Sequence, residues 1–255
     1  MANPEHADLL RKGPEAWNKW RQEHADIKPD LSGMKLLNLP LLKVDLHEAI
    51  MCNADLQRAN LFEANLREAN LEHANFSGAN LIGADLSKAD LTDSTLMGIK
   101  MHRGTLTEAN LTRADLSPAS SLSRTDLSKA NLDRATLTNA NLEKAYLSGA
   151  TLQDSDLTAA NLSGARLQAA RLLKARMRQI NLSEADLSEA DLSNADLSNA
   201  RLIRADLTGA NLENTQMERT NFEQAILRGI PWLLIMDLTL RPDVNMARAQ
   251  WDRPG

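Results

Sequence analysis

The strongest constraint on this chain is a leucine that returns every fifth residue. Between about Asp45 and Asp115 a sample reads ANLFEANLREANLEHANF, Ala59 to Phe76. Ala stands two positions before each Leu, and Asn or Asp directly before it. Five matches neither the 3.6-residue period of a helix nor the alternation of a strand. On a helix such leucines would wander over every face. A fixed short repeat points instead to a solenoid, in which each unit is stabilised by the next. Five residues make one short extended side and a turn. Four sides close a square coil of about 20 residues, and coils stack at a spacing of about 4.8 Å. Leu points inward, and Ala also points inward near the corner, where only a small side chain fits. The short side chain of Asn or Asp suits the turn, because it can hydrogen-bond neighbouring backbone.

The A-(D/N)-L-x-x pattern resembles the pentapeptide-repeat family over roughly Pro29 to Gly229. The resemblance implies an all-β solenoid, a right-handed quadrilateral β-helix of about ten coils. Inward positions are Leu, with Met51, Phe76, Met101, Met177, Met217 and Phe222 as exceptions. At that stacking distance the body is on the order of 48 Å long. A solenoid also accommodates an aromatic content of only 3%, too low for an ordinary packed globule of 255 residues.

Three regions follow. Residues 1–28 lie outside the repeat and read as two short helices, Glu5 to Lys12 and Pro14 to His24, forming an N-terminal helical cap. Ala16, Trp17 and Trp20 give the second an apolar face for the open end, or a side, of the first coil. Residues 29–229 form the β-helix. Within it Leu116 is followed by Leu122, so Ser117 to Ser121 carry one residue too many, and Pro118 lies among them. A bulge or bent corner is expected there. Residues 230–255 form an apolar C-terminal cap or dimerisation segment around Trp232, Leu233, Leu234 and Ile235.

A 20-residue coil also makes the outer faces legible. Leu42, Phe62 and Ile82 should stack as an apolar ladder, covered by the N-terminal tryptophan helix or free for a partner. Arg166, Arg171 and Arg176 precede Asp186, Asp191 and Asp196 by one coil, which predicts three cross-coil ion pairs, with anion binding as the alternative. The face carrying Leu46 and Leu66 leans acidic, and the face carrying Leu41 and Leu61 leans basic.

Chemistry is sparse. His47, His73 and His102 fall on three faces and cannot share a metal. Carboxylates form ladders rather than dyads, and a full interior offers no substrate cavity. No enzyme activity, cofactor or metal is expected. Cys52 is the single cysteine, outward-facing after Met51, which fits a reducing compartment. The N-terminus has no secretory pattern, and Ile226 to Leu240 is too broken to span a bilayer. The expectation is a cytoplasmic protein with no membrane or direct nucleic-acid contact. It should present flat faces to an unknown protein partner, with a homodimer through the C-terminal segment possible. The alternative comes from the resemblance: some family members imitate duplex DNA and bind gyrase, protecting it from quinolones. A duplex carries one charge per about 1.7 Å, so a rod on the order of 48 Å would need roughly 28 negative charges. The net charge of this chain is -5.

Overall fold

The computed structural model describes residues 2–118 and 120–252. From Asp30 to Asp206 every side of the coil pairs in parallel with the side one turn later. Asp30 faces Ile50, Asp55 faces Asn75 and Asn60 faces Asn80. The chain is a right-handed quadrilateral β-helix, as the family resemblance implies.

One hydrogen-bond set recurs along the coil. The N–H of inward Leu56 donates to the Asn75 carbonyl of the next coil at 2.7 Å, and the Asn75 N–H returns to the Ala54 carbonyl at 2.9 Å. The corner closes when the Ala59 N–H donates to the Leu56 carbonyl at 3.0 Å. The second corner residue, Arg58, has φ of 54°. Along the coil the residues in this position run from 51° at Glu63 to 73° at Gly229. The corners are thus type II turns, built mostly without the glycine such turns favour. Asn and Asp help hold them. Asn75 Oδ1 accepts the Ser77 N–H at 3.0 Å and the Ser77 hydroxyl at 2.6 Å. Inside, Leu and Ala are sealed; Leu61, Ala64, Leu162 and Ala165 are no more than 1% exposed. A fully buried leucine contributes roughly 1.5–3 kcal/mol before entropy is subtracted.

The register changes once. Lys100 pairs with Ser121 and Thr105 with Asp126, an offset of one extra residue, and Ser121 with Asn141 restores the regular spacing. The expected bulge within 117–121 includes Ala119, which lies outside the described residues. The cause of the insertion is nonetheless legible at Pro118. It occupies the second corner position after Leu116, where the other corners need positive φ. Proline's ring fixes φ near −65°, so the regular turn cannot form there.

The two ends are closed differently. At the start, α1 (Pro4–Arg11) and α2 (Pro14–Glu23) bury Ala7, Leu10 and Trp17 against the first coil. They also bond its free edge. The N–H groups of Ala2 and Asn3 donate to the Ser32 and Asp30 carbonyls at 3.1 and 2.9 Å. Asn18 of α2 donates to the Lys43 carbonyl and accepts from the Asp45 N–H, both at 2.8 Å. Arg21, 3% exposed, donates to the His47 carbonyl at 3.1 Å. Pro40 has no N–H to leave unpaired on that edge.

At the far end, α3 (Trp232–Leu240) replaces two sides of a coil, and then the repeat resumes. Asn245 pairs with Asn221, and Gln250 with Ile226. Val244 and Ala249 take corner positions, and Met246 and Trp251 take leucine positions, all packed on or within the core. The coil therefore runs past Gly229, where the regular pentads end. Ile235 and Leu238 of α3 are buried, and Leu212 and Met217 beside it are only 2% exposed.

Candidate functional site

With the interior filled, function must lie on the outside. The ladder of Leu42, Phe62 and Ile82 forms: Leu42 is exposed and the other two are half-buried. The tryptophan helix does not lie along it. α2 spends its hydrogen bonds on the end of the rod, at Lys43, Asp45 and His47 of the first coil. Leu42 lies beside the α1–α2 turn, with Lys12, Gly13 and Pro14 around it.

The C-terminal patch is rearranged by helical geometry. Of the residues singled out in sequence, Trp232 is 38% and Leu233 82% exposed, but Ile235 is buried and Leu234 packs partly on the core. Met236 and Leu240, at 42% and 77%, take their place on the outer side. Residues 3.6 apart share a helix face, so an apolar run wound into a helix divides between core and solvent. A groove between Leu233 and Leu234 of α3 and Leu212, Glu213 and Asn214 of the coil borders this face.

The three predicted ion pairs are not made. Arg166, Arg171 and Arg176 do lie beside Asp186, Asp191 and Asp196 as backbone partners in adjacent coils. Their side chains go elsewhere. Arg176 pairs with Asp156 of the preceding coil at 3.1 Å, and Asp196 is taken by Arg178. Asp186 accepts from Gln168 and from the Ser188 hydroxyl, while Asp191 accepts from the Asn211 amide at 3.1 Å. Arg166 swings back over the ring of Tyr146, 5.2 Å from its centroid. The physical reason is competition: each aspartate already serves its own turn and has nearer neutral or cationic donors. Burial pushes the Asp196 carboxyl up, but hydrogen bonds from Ser198 and the Arg178 guanidinium outweigh it and hold it below the usual range.

The histidines stay on separate faces. His47 bonds the Arg67 carbonyl at 2.9 Å, His102 the Ser123 hydroxyl at 2.8 Å, and His73 approaches Glu72 at 3.7 Å. Among the described residues no group of three or more His, Cys, Asp or Glu could hold a metal ion. Cys52 is half-buried, with its Sγ 3.4 Å from the Ser32 hydroxyl. Among those residues no helix is long and apolar enough to cross a membrane.

Two surface features went unread in the sequence. One is the winding of the C-terminal apolar run into α3, which turns Met236 and Leu240 outward and which helical periodicity would have shown. The other is the Tyr146–Arg166 stack, signalled by the chain's single tyrosine standing where the repeat expects Asn or Asp.

Comparison with known proteins gives a consistent result. The profile for pentapeptide repeats matches in 8 copies, over residues 41–78, 59–98, 120–158, 160–199 and 190–229. The unmatched gap holds Met101, Gly104 and Pro118, where the pattern is least regular. No curated protein sequence matches. Among solved structures the chain is similar to HetL of Nostoc sp. strain PCC 7120, described as a pentapeptide repeat protein involved in heterocyst differentiation regulation. Identity is 31%, the match covers 82% of this chain and 96% of HetL, and the TM-score is 0.59. Rfr23 of Cyanothece 51142 is 32% identical over 48% of this chain and 64% of its own, with a TM-score of 0.27. QnrB1, a plasmid-mediated fluoroquinolone resistance protein, is 16% identical over 71% of this chain and 85% of its own, with a TM-score of 0.35.

Proposed function

Because the chain belongs to the pentapeptide-repeat family, we propose that it is a non-catalytic binding rod, a rigid body that docks another protein. The observation that carries this reading is the outer side of α3. Leu233 and Leu240 are 82% and 77% exposed, with Trp232 and Met236 beside them. Contiguous, strongly exposed apolar surface at the end of a rod marks an interaction site. A second copy of the chain is the occupant that fits first. One short helix at one end can meet its own image about a two-fold axis and bury the same residues on both sides.

The experiment is light scattering across a range of concentrations, comparing the full chain with the double variant Leu233→Glu/Leu240→Glu. Both residues point to solvent, so the coil should fold unchanged. A dimer in the parent and a monomer in the variant is the expected result. A monomeric parent at all concentrations removes the homodimer. Partner capture with both versions then decides whether α3 receives a different protein, and loss of the captured partner in the double variant is the supporting outcome.

Imitation of duplex DNA draws little support from the surface. The acidic-leaning face is interrupted by Arg67, Lys88, Lys129 and Arg166. Arg67 itself pairs with Asp85 at 3.5 Å. Purified gyrase supercoiling with graded amounts of the protein tests it directly.

A further inference from the structure

We infer that the middle of the rod carries an oxyanion-binding depression, formed by Arg124, Lys144 and Arg166 around Tyr146, and that it takes a compact dianion of the phosphate class.

These residues line one hollow together with Gly164. The repeat brings them together. Arg124, Lys144 and Gly164 hold the same corner position in three successive coils. Tyr146 and Arg166 hold the neighbouring turn position in two of those coils. Gly164 leaves the corner row without a side chain, and Lys144 lies across the gap. A Cβ on Gly164 would stand 3.2 Å from Lys144 Cγ. The Arg166 guanidinium lies over the Tyr146 ring, 5.2 Å from its centroid. A guanidinium carries five N–H donors, so contact with a ring face leaves donors for an oxyanion.

Of the acids near the hollow, Glu143 pairs with the hollow's own Lys144 at 3.3 Å, and Glu184 with Arg204 at 3.6 Å. Asp126 accepts from the Ser128 N–H at 2.9 Å, and Asp186 from Gln168 and Ser188. Among the described residues neither Arg124 nor Arg166 has a carboxylate within salt-bridge distance. Two guanidinium groups with no carboxylate partner favour a doubly charged ligand over a single carboxylate, and Lys144, already paired with Glu143, adds a weaker third contact.

The inference does not depend on the α3 reading, because the hollow lies in other coils; either can fail alone. The probe is inorganic phosphate, titrated at constant ionic strength with chloride as balance, and acetate as a second arm. The Tyr146 ring and the arginine Nε–H groups are followed by NMR. The expected result is a saturable shift at Tyr146, Arg124 and Arg166, with a Kd on the order of 1 mM. The variant Arg124→Gln/Arg166→Gln should weaken binding by at least about tenfold. Tyr146→Phe, which keeps the ring, should bind as the parent does, read at the arginines. Shifts that follow ionic strength alone, equal binding of acetate, or unchanged binding in the double variant would each overturn the assignment.

Discussion

The indole N–H of Trp17 donates to the backbone carbonyl of Asp45 at 2.6 Å, while its ring is fully buried. One side chain therefore covers the leucine column and satisfies an edge group that has no preceding coil to receive it. This joint role is what distinguishes a cap from a merely apolar lid.

Replacing Trp17 should separate the two contributions. Trp17→Ala removes both and should cost roughly 3–5 kcal/mol. Trp17→Phe keeps most of the apolar contact and should cost roughly 1–3 kcal/mol, the penalty of an unpaired buried carbonyl. Urea unfolding measures both. A Trp17→Phe variant as stable as the parent would mean that the hydrogen bond contributes nothing, and equal losses in the two variants would mean that the apolar contact contributes nothing.

Pro118 and the extra residue beside it should be interdependent. Removing Ala119, which keeps Pro118 two residues after Leu116, forces proline into a corner that needs positive φ, and should cost roughly 3 kcal/mol or more. The same deletion with Pro118→Asn restores a regular corner and should bring stability back to within about 1 kcal/mol of the parent. Melting curves of the two deletion variants check this. If both are equally unstable, proline is not the reason for the insertion.

Met101 and Gly104 form a second dependent pair. A Cβ on Gly104 would lie 2.7 Å from Met101 Cγ and 3.1 Å from the Ala84 carbonyl oxygen. One coil earlier the same two positions hold Leu81 and Ala84 without conflict. Gly104→Ala alone should cost roughly 1–3 kcal/mol through overpacking. Adding Met101→Leu recreates the regular pair and should recover most of that loss, visible as a coupling energy in a double-mutant cycle. Simple additivity would contradict the proposed compensation.

Acid should weaken the corners. Burial pushes the Asp156 carboxyl up, but Thr158 and the Arg176 guanidinium outweigh it and hold it below the usual value; Asp196 behaves alike through Ser198 and Arg178. Asp30 is lowered by the hydroxyl and N–H of Ser32. A depressed folded pKa means that the unfolded chain binds more protons at low pH. The stabilisation is therefore complete above the unfolded value of about 3.9 and is lost as pH falls through the depressed one. Urea midpoints should drop steeply below about pH 4. Asp156→Asn/Asp196→Asn keeps an oxygen for each turn, and should flatten that slope without changing the fold.

Much of this molecule is written in its pentads. Leu61 and Ala64 must face inward because a five-residue side offers just two inward positions, one roomy and one tight. The pairing of Asn60 with Asn80, and the shift to Lys100 with Ser121, follow from counting alone. Local chemistry is strictly repeated there, so local sequence suffices.

Where the repeat stops, or where long side chains choose among neighbours, only the folded chain decides. The resumption of the coil at Asn245 depends on α3 replacing two sides, a substitution that no five-residue rule contains. Arg166 and Asp186 are adjacent in both counting and structure, yet Arg166 turns to Tyr146 and Asp186 to Gln168 and Ser188. Backbone register is set by bonds that every pentad makes in the same way. The direction of an exposed arginine is set by which of several similar partners, in coils before and after it, is still free.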